Sequence, residues 1–248
     1  MVELSSRLPR HRTAPDRPRG ARDRRCLVLR LGLTDYGEAW ELQRRLADAV
    51  REGSSLPALI LLQHPPTYTL GAQGKSEHVL LDEAGLRRIG AGLHRVDRGG
   101  DVTFHGPGQL VGYPILDLRR WGQGPVWYVR ALEATLIEAL ARLGIAARRV
   151  PGRVGVWVGD DKIAAIGLRV SRGVTTHGFA LNVATDLSYY RHIVPCGLID
   201  AGVTSVERLL SRALPLEEVA GLVVDCFAET FGLEMVESAP EPAEVVVP

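Results

Sequence analysis

Apolar positions along this chain follow three rhythms, and each predicts a different kind of element. Continuous apolar runs, "CLVLRLGLT" (residues 26–34) and "PALILLQHPPTYTLG" (57–71), predict strands, the second buried and running into a turn at His64–Pro66. Helical spacing marks "DYGEAWELQRRLADAVREG", with Asp35 and Glu38 at capping-box distance and Gly53 as its stop. It marks "VWYVRALEATLIEALARLG" too, where Val129, Leu132, Leu136, Leu140 and Leu143 form one stripe ended by Gly144. A last helix, "PLEEVAGLVVDCFAETFG", has Pro215 at its first turn and Gly232 at its end. Residues 78–92 read as a short helix followed by a connection. Strict alternation appears in "DVTFH": Val102 and Phe104 point one way, and Asp101, Thr103 and His105 the other. With Gly106-Pro107-Gly108 as a turn and "QLVGYPILDL" returning, this stretch predicts a hairpin. "RVGVWV" and "KIAAIGLRV" predict a second hairpin around Gly159-Asp160-Asp161, and "HGFALNVA" a further strand.

Hairpins interspersed with helices, without strict strand–helix alternation, indicate an α+β or mixed-sheet α/β fold. Residues 26–233 contain no repeat and no linker, so one domain is expected there. Residues 1–25 carry eight arginines against three acids, and 234–248 carry four glutamates and no base. They read as a disordered Arg-rich tail and a disordered acidic tail around a near-neutral middle. The net charge of +1 argues against a general nucleic-acid binder, and no apolar run is long enough to cross a membrane. Three cysteines without CxxC pairing favour a reducing compartment, and the expected location is cytoplasmic.

Candidate chemistry is sparse. Cys226 lies on an apolar helical stripe and Cys26 begins a buried-looking strand, so both read as packing residues. Cys196, in "IVPCGLID", sits between Pro195 and Gly197 in a loop and is a candidate nucleophile. A thiol attacks as thiolate and needs a cation or base beside it. Of 30 basic residues only Lys75 and Lys162 are lysines. Lys162 opens a strand with the short side chains Ala164, Ala165 and Gly167 just beyond it. It can be a solvated hairpin-end lysine or an amine placed for chemistry. His105, His177 and His192 are further titratable options; for each a satisfied structural role is the stronger reading, though together they could line one cleft. The four glycines of "RGGDVTFHGPGQL" fit neither nucleotide-loop pattern, and read better as the border of a pocket.

Three segments taken together, "RGGDVTFHGPGQLVGYP", "KIAAIGLRVSRGVTTHGFALNV" and "VPCGL", resemble the octanoyltransferases of lipoate biosynthesis, and "QHPPTYTLG" agrees. The resemblance covers about residues 27–232. It implies a single domain similar to the catalytic domain of biotin and lipoate protein ligases. The implied activity moves an octanoyl group from octanoyl-acyl-carrier protein to a lysine of a lipoyl domain, through a cysteine thioester and without a cofactor or metal. The implied acceptors are lipoyl domains of 2-oxoacid dehydrogenase complexes and the glycine-cleavage H protein. By the same resemblance the thioester falls on Cys196 and its activating amine on Lys162. The substrate-lining positions fall on Arg98, Gly99, Gly100, Asp101, Val102, Thr103, Phe104 and His105. They continue with Ala165, Ile166 and Gly167, then Gly178, Phe179 and Ala180. Asp101, Phe104 and Phe179 stand where the family pattern varies. An ATP-dependent ligase of the same fold, which would not need Cys196, and a non-catalytic acyl-binding module are the alternatives.

Overall fold

The structure, a computed structural model, describes residues 24–194 and 202–238. Among these the strands form two sheets. The larger runs in the order β11 (Glu234–Ser238), β1 (Arg25–Leu33), β2 (Ala58–Gln63), β6 (Gln109–Ile115), β10 (Val174–Asn182), β9 (Asp161–Ser171), β8 (Arg153–Val158), β7 (Arg148–Val150). β1 pairs in parallel with both β11 and β2, and the remaining neighbours are antiparallel. The smaller sheet is β4 (Gly92–Arg95), β3 (Thr67–Leu70) and β5 (Val102–His105).

Continuous apolar runs take central places because both faces of the large sheet are covered. In β2, Leu59 and Leu61 join the core under α3 (Pro125–Arg142) and α5 (Leu216–Phe231), while Ile60 and Leu62 join the core under α1 (Tyr36–Glu52). Asp35 caps α1 as its spacing predicts, accepting from the N–H groups of Gly37 and Glu38. Short helices α2 (Glu83–Arg88) and α4 (Val206–Leu210) complete the fold, α2 lending Leu86 to a third core with Tyr68, Leu70, Val102 and Phe104. No helix among the described residues is long and apolar enough to cross a membrane.

Two expectations are corrected. The first predicted hairpin does not form: β5 pairs with β3 in the small sheet, and β6 lies between β2 and β10 in the large one. The reason is burial. All seven residues of β6 are buried and need cover on both faces, whereas β5 alternates and lays Val102 and Phe104 on the small-sheet core. The turn at Gly106-Pro107-Gly108 therefore crosses between sheets, as do the prolines after β2. The second correction concerns the acidic tail. Its first five residues are β11, and the folded unit extends through Ser238. The hairpin of β8 and β9 forms as predicted.

Candidate active site

A cavity of about 560 Å³ is lined by residues of both sheets, a size usual for a small-molecule site. Small residues pair along one wall: Ala165 with Ala180, and Gly167 with Gly178, across β9 and β10. Facing them is the loop that leads into β5. Gly99 donates its N–H to the Leu168 carbonyl at 2.9 Å, which draws two backbones together. A Cβ on Gly167 would stand 3.0 Å from the Gly99 carbonyl oxygen and 3.1 Å from Arg98 Cδ. Close approach is what this glycine provides.

Of the first predicted segment, every residue but one borders the cavity. Residues 98–103 and His105 line the cavity, as do residues 165–167 and 178–180. Phe104 does not. Its ring turns to the opposite face, stacked 4.6 Å from Tyr189 and tilted 5.2 Å from Tyr68, and it belongs to the small-sheet core. Arg98 is buried and ties the loop to β3: Nη2 donates to the Thr69 carbonyl and to its Oγ1, both at 2.8 Å. Asp101 accepts from His78 Nδ1 at 2.5 Å.

Tyr36, Tyr113, Trp157, Asn182 and Tyr190 also line the cavity, and the sequence reading did not single them out. Tyr113 and Trp157 sit in apolar strand runs that read as core, while Tyr36 beside Asp35 and Tyr190 beside Arg191 carry no pattern that points to a cavity. Asn182 alone carries a signal, as a polar residue closing the apolar run "HGFALN". It belongs to a chain of hydrogen bonds across the site. His105 Nδ1 lies 2.9 Å from Gln109 Oε1, Gln109 Nε2 donates to Asn182 Oδ1 at 2.9 Å, and Asn182 Nδ2 donates to the Thr204 carbonyl at 3.1 Å.

Two histidines that line the cavity are held toward the neutral form by burial. Burial lowers His177 and takes His105 well below its ordinary value. His177 keeps Nε2 at 2.8 Å from Asp97, which also pairs with Arg169; this hydrogen bond is the main reason the Asp97 carboxyl is pulled down to about 2. Burial pushes His64, behind the cavity, down to about 4. The neutral ring is satisfied on both sides, with Nδ1 2.7 Å from the Thr34 carbonyl and Nε2 2.8 Å from the Tyr113 hydroxyl. Because its folded value lies below the ordinary 6.5, the unfolded chain binds the proton first. His64 therefore stabilises the fold fully above pH 6.5, and loses that contribution as pH falls toward 4. By pH 5 the loss from this group is about 2 kcal/mol. We expect denaturant titrations at pH 7 and pH 5 to show it, and a His64→Gln variant to lack that part of the slope.

Cys26 and Cys226 are inert: burial pushes their thiols up to about 12 and about 11, in keeping with packing roles. Cys196 lies outside the described residues. Lys162 lines the cavity, with Nζ 4.9 Å from the centre of the Trp157 ring. Its N–H donates to the Gly202 carbonyl at 2.9 Å and its own carbonyl accepts from Thr204 at 3.1 Å. His192, by contrast, does not line the cavity.

The sequence matches the lipoyl protein ligase A/B catalytic domain over residues 35–228. It is 50% identical to an octanoyltransferase of Solibacter usitatus (strain Ellin6076) over 216 residues, 87% of this chain and 97% of the relative. It is 47% identical to an octanoyltransferase of Gloeobacter violaceus (strain ATCC 29082 / PCC 7421) over 225 residues, 90% and 98% of the two chains. Among solved structures, a lipoate-protein ligase A bound with ATP superposes with a TM-score of 0.68 at 20% identity, covering 87% of this chain and 88% of the other. At that identity the ligase speaks for the architecture alone, a mixed α+β domain, which is the fold class the element order predicted. The chain belongs to the lipoyl protein ligase A/B catalytic-domain family, and it is an acyltransferase of the octanoyl- and lipoyl-transferring kind.

Proposed function

We propose that the chain takes an octanoyl group from octanoyl-acyl-carrier protein, holds it as a thioester on Cys196, and delivers it to a lysine amine of a lipoyl domain. One observation carries the cysteine assignment: both chain ends flanking the Cys196 segment are anchored beside the cavity. Val194 donates its N–H to the His78 carbonyl at 2.9 Å, and the His78 ring holds Asp101 of the cavity wall. Gly202 and Val203 line the cavity and run alongside Lys162. Cys196 is two residues from the first anchor and six from the second.

The chemistry follows from these groups. The Cys196 thiolate attacks the carrier thioester carbonyl; the carrier sulfur leaves and is protonated. One thioester replaces another, so no activating nucleotide is required. The acceptor amine then attacks the Cys196 thioester, the cysteine sulfur leaves, and the amide formed is too stable to reverse. Lys162, as ammonium, stabilises the thiolate and returns a proton to the departing sulfur. The paired small residues of β9 and β10 leave room for the acyl chain, whose burial contributes about 0.8 kcal/mol per methylene.

The test is the covalent intermediate. Purified protein incubated with octanoyl-carrier and weighed intact is expected to gain the mass of one octanoyl group, and to lose it when a lipoyl domain is added. Product formed without any acylated protein under single-turnover conditions would overturn the two-step reading.

A further inference from the structure

Glu133 lies in the middle of α3 with its carboxylate fully buried. A buried carboxylate is destabilising unless paired and hydrogen-bonded, so its partners indicate its purpose. Oε2 accepts from Arg130 Nη1 at 2.7 Å and from Arg149 Nε at 3.0 Å. Those side chains are 51% and 41% exposed, and water would solvate them if the acid were gone. The third partner has no such recourse. Oε1 accepts the buried backbone N–H of Gly155 at 3.2 Å.

Gly155 is the point where β8 departs from regular geometry. Its φ is +120°, and a Cβ there would meet the Ala164 carbonyl oxygen at 2.6 Å. Pairing with β9 shifts register between the next two residues, Val156 and Trp157. Lys162 lies against this irregular stretch of β8 at two points. The stem passes Gly155, with Cε and Cδ 3.5 and 3.6 Å from the position a Cβ would occupy. The amine stands over the Trp157 ring, which also carries the Arg153 guanidinium 5.6 Å from its centre.

We propose that Glu133 is a positioning residue for Lys162: by capping the Gly155 N–H it holds the kink in β8 on which the lysine stem and amine rest. The inference rests on the reading of Lys162 as the partner of the Cys196 thiol. Removing the carboxylate leaves the Gly155 N–H buried without an acceptor, which favours relaxation of β8 toward regular pairing. Trp157 then shifts, and the amine spends less time where the thiolate needs it.

The test measures alkylation of full-length protein by iodoacetamide across pH, read peptide by peptide so that Cys196 is scored apart from Cys26 and Cys226. Circular dichroism and melting verify the fold of each variant. Lys162→Met is expected to move the Cys196 midpoint up toward that of a free thiol. Glu133→Leu, which has no acceptor for the Gly155 N–H, is expected to move it the same way by less, slowing alkylation at pH 7 by about threefold to tenfold. A Glu133→Leu profile lying on the wild-type curve, with Lys162→Met displaced, overturns the role of Glu133 and leaves the reading of Lys162 standing. An unmoved Lys162→Met profile overturns that reading and this inference together. If Glu133→Leu does not fold, Glu133→Asp, which keeps the carboxylate but shortens its reach by one methylene, decides by the same comparison.

Discussion

Cys196→Ala is expected to fold normally, take up no octanoyl group from the carrier, and form lipoyl-domain product at least about 10⁴-fold more slowly than wild type. The size of the effect follows from the route. Direct attack by the acceptor amine on the carrier thioester would need both protein partners at the cavity together. The thioester lets them visit in turn, each step using the same small set of positioned groups. Intact mass after incubation with octanoyl-carrier, and a single-turnover assay with a lipoyl domain, check the two halves separately. A variant that transfers octanoyl at the wild-type rate would show that the chemistry belongs to another group. Cys26 and Cys226 are poor candidates for it: neither lines the cavity, and burial pushes both thiols above their ordinary range.

Ala165→Leu carries the second large effect, and it acts on selectivity. Ala165 is partly buried, lines the cavity and faces Ala180 across the ladder. A leucine there grows into open space, so the fold is spared while the space for the acyl chain shrinks. Expelling three or four methylenes, each contributing about 0.8 kcal/mol when buried, removes about 3 kcal/mol of binding. We expect kcat/KM for octanoyl donor to fall roughly 100-fold and that for butanoyl donor to change less than about threefold. Competition between butanoyl and octanoyl donors checks this in one assay. A uniform loss for both lengths would mean that the acyl chain does not lie against Ala165.

Much of the fold was legible because local chemistry and tertiary placement agree. Asp35 caps α1 where its spacing says it should, and Gly159 turns the β8–β9 hairpin. Residue alternation in "DVTFH" correctly separated Thr103 and His105 from Val102 and Phe104. Taken one step further it would have turned Phe104 away from the site, but it would have removed Val102 with it, and Val102 joins the small-sheet core and still borders the cavity. Assignment of strands to sheets was not legible. Adjacent strands joined by a short glycine turn usually pair, and here the buried pattern of "QLVGYPI" outweighed that preference. The edge strands β4, β7 and β11 are three to five residues long and mostly polar or exposed, too short for a periodic signal. Glu133 was illegible for a different reason. An acid beside Leu132 in an amphipathic helix reads as solvent-facing, and only the approach of Arg149 and Gly155 from distant sequence makes its burial tolerable.

The seam between β1 and β11 has a consequence for how the molecule comes apart. Arg25 stands opposite Glu234 and Leu29 opposite Ser238, and Arg30 clasps both Glu217 and Glu237. The two extremities of the described chain thus lie side by side as mutual partners. Trimming the polypeptide after Leu233 would strip β1 of one neighbour and bare a row of unpaired amides beside Cys26 and Val28, an invitation to self-association. Fraying at either extremity is shared by both, so they melt as one.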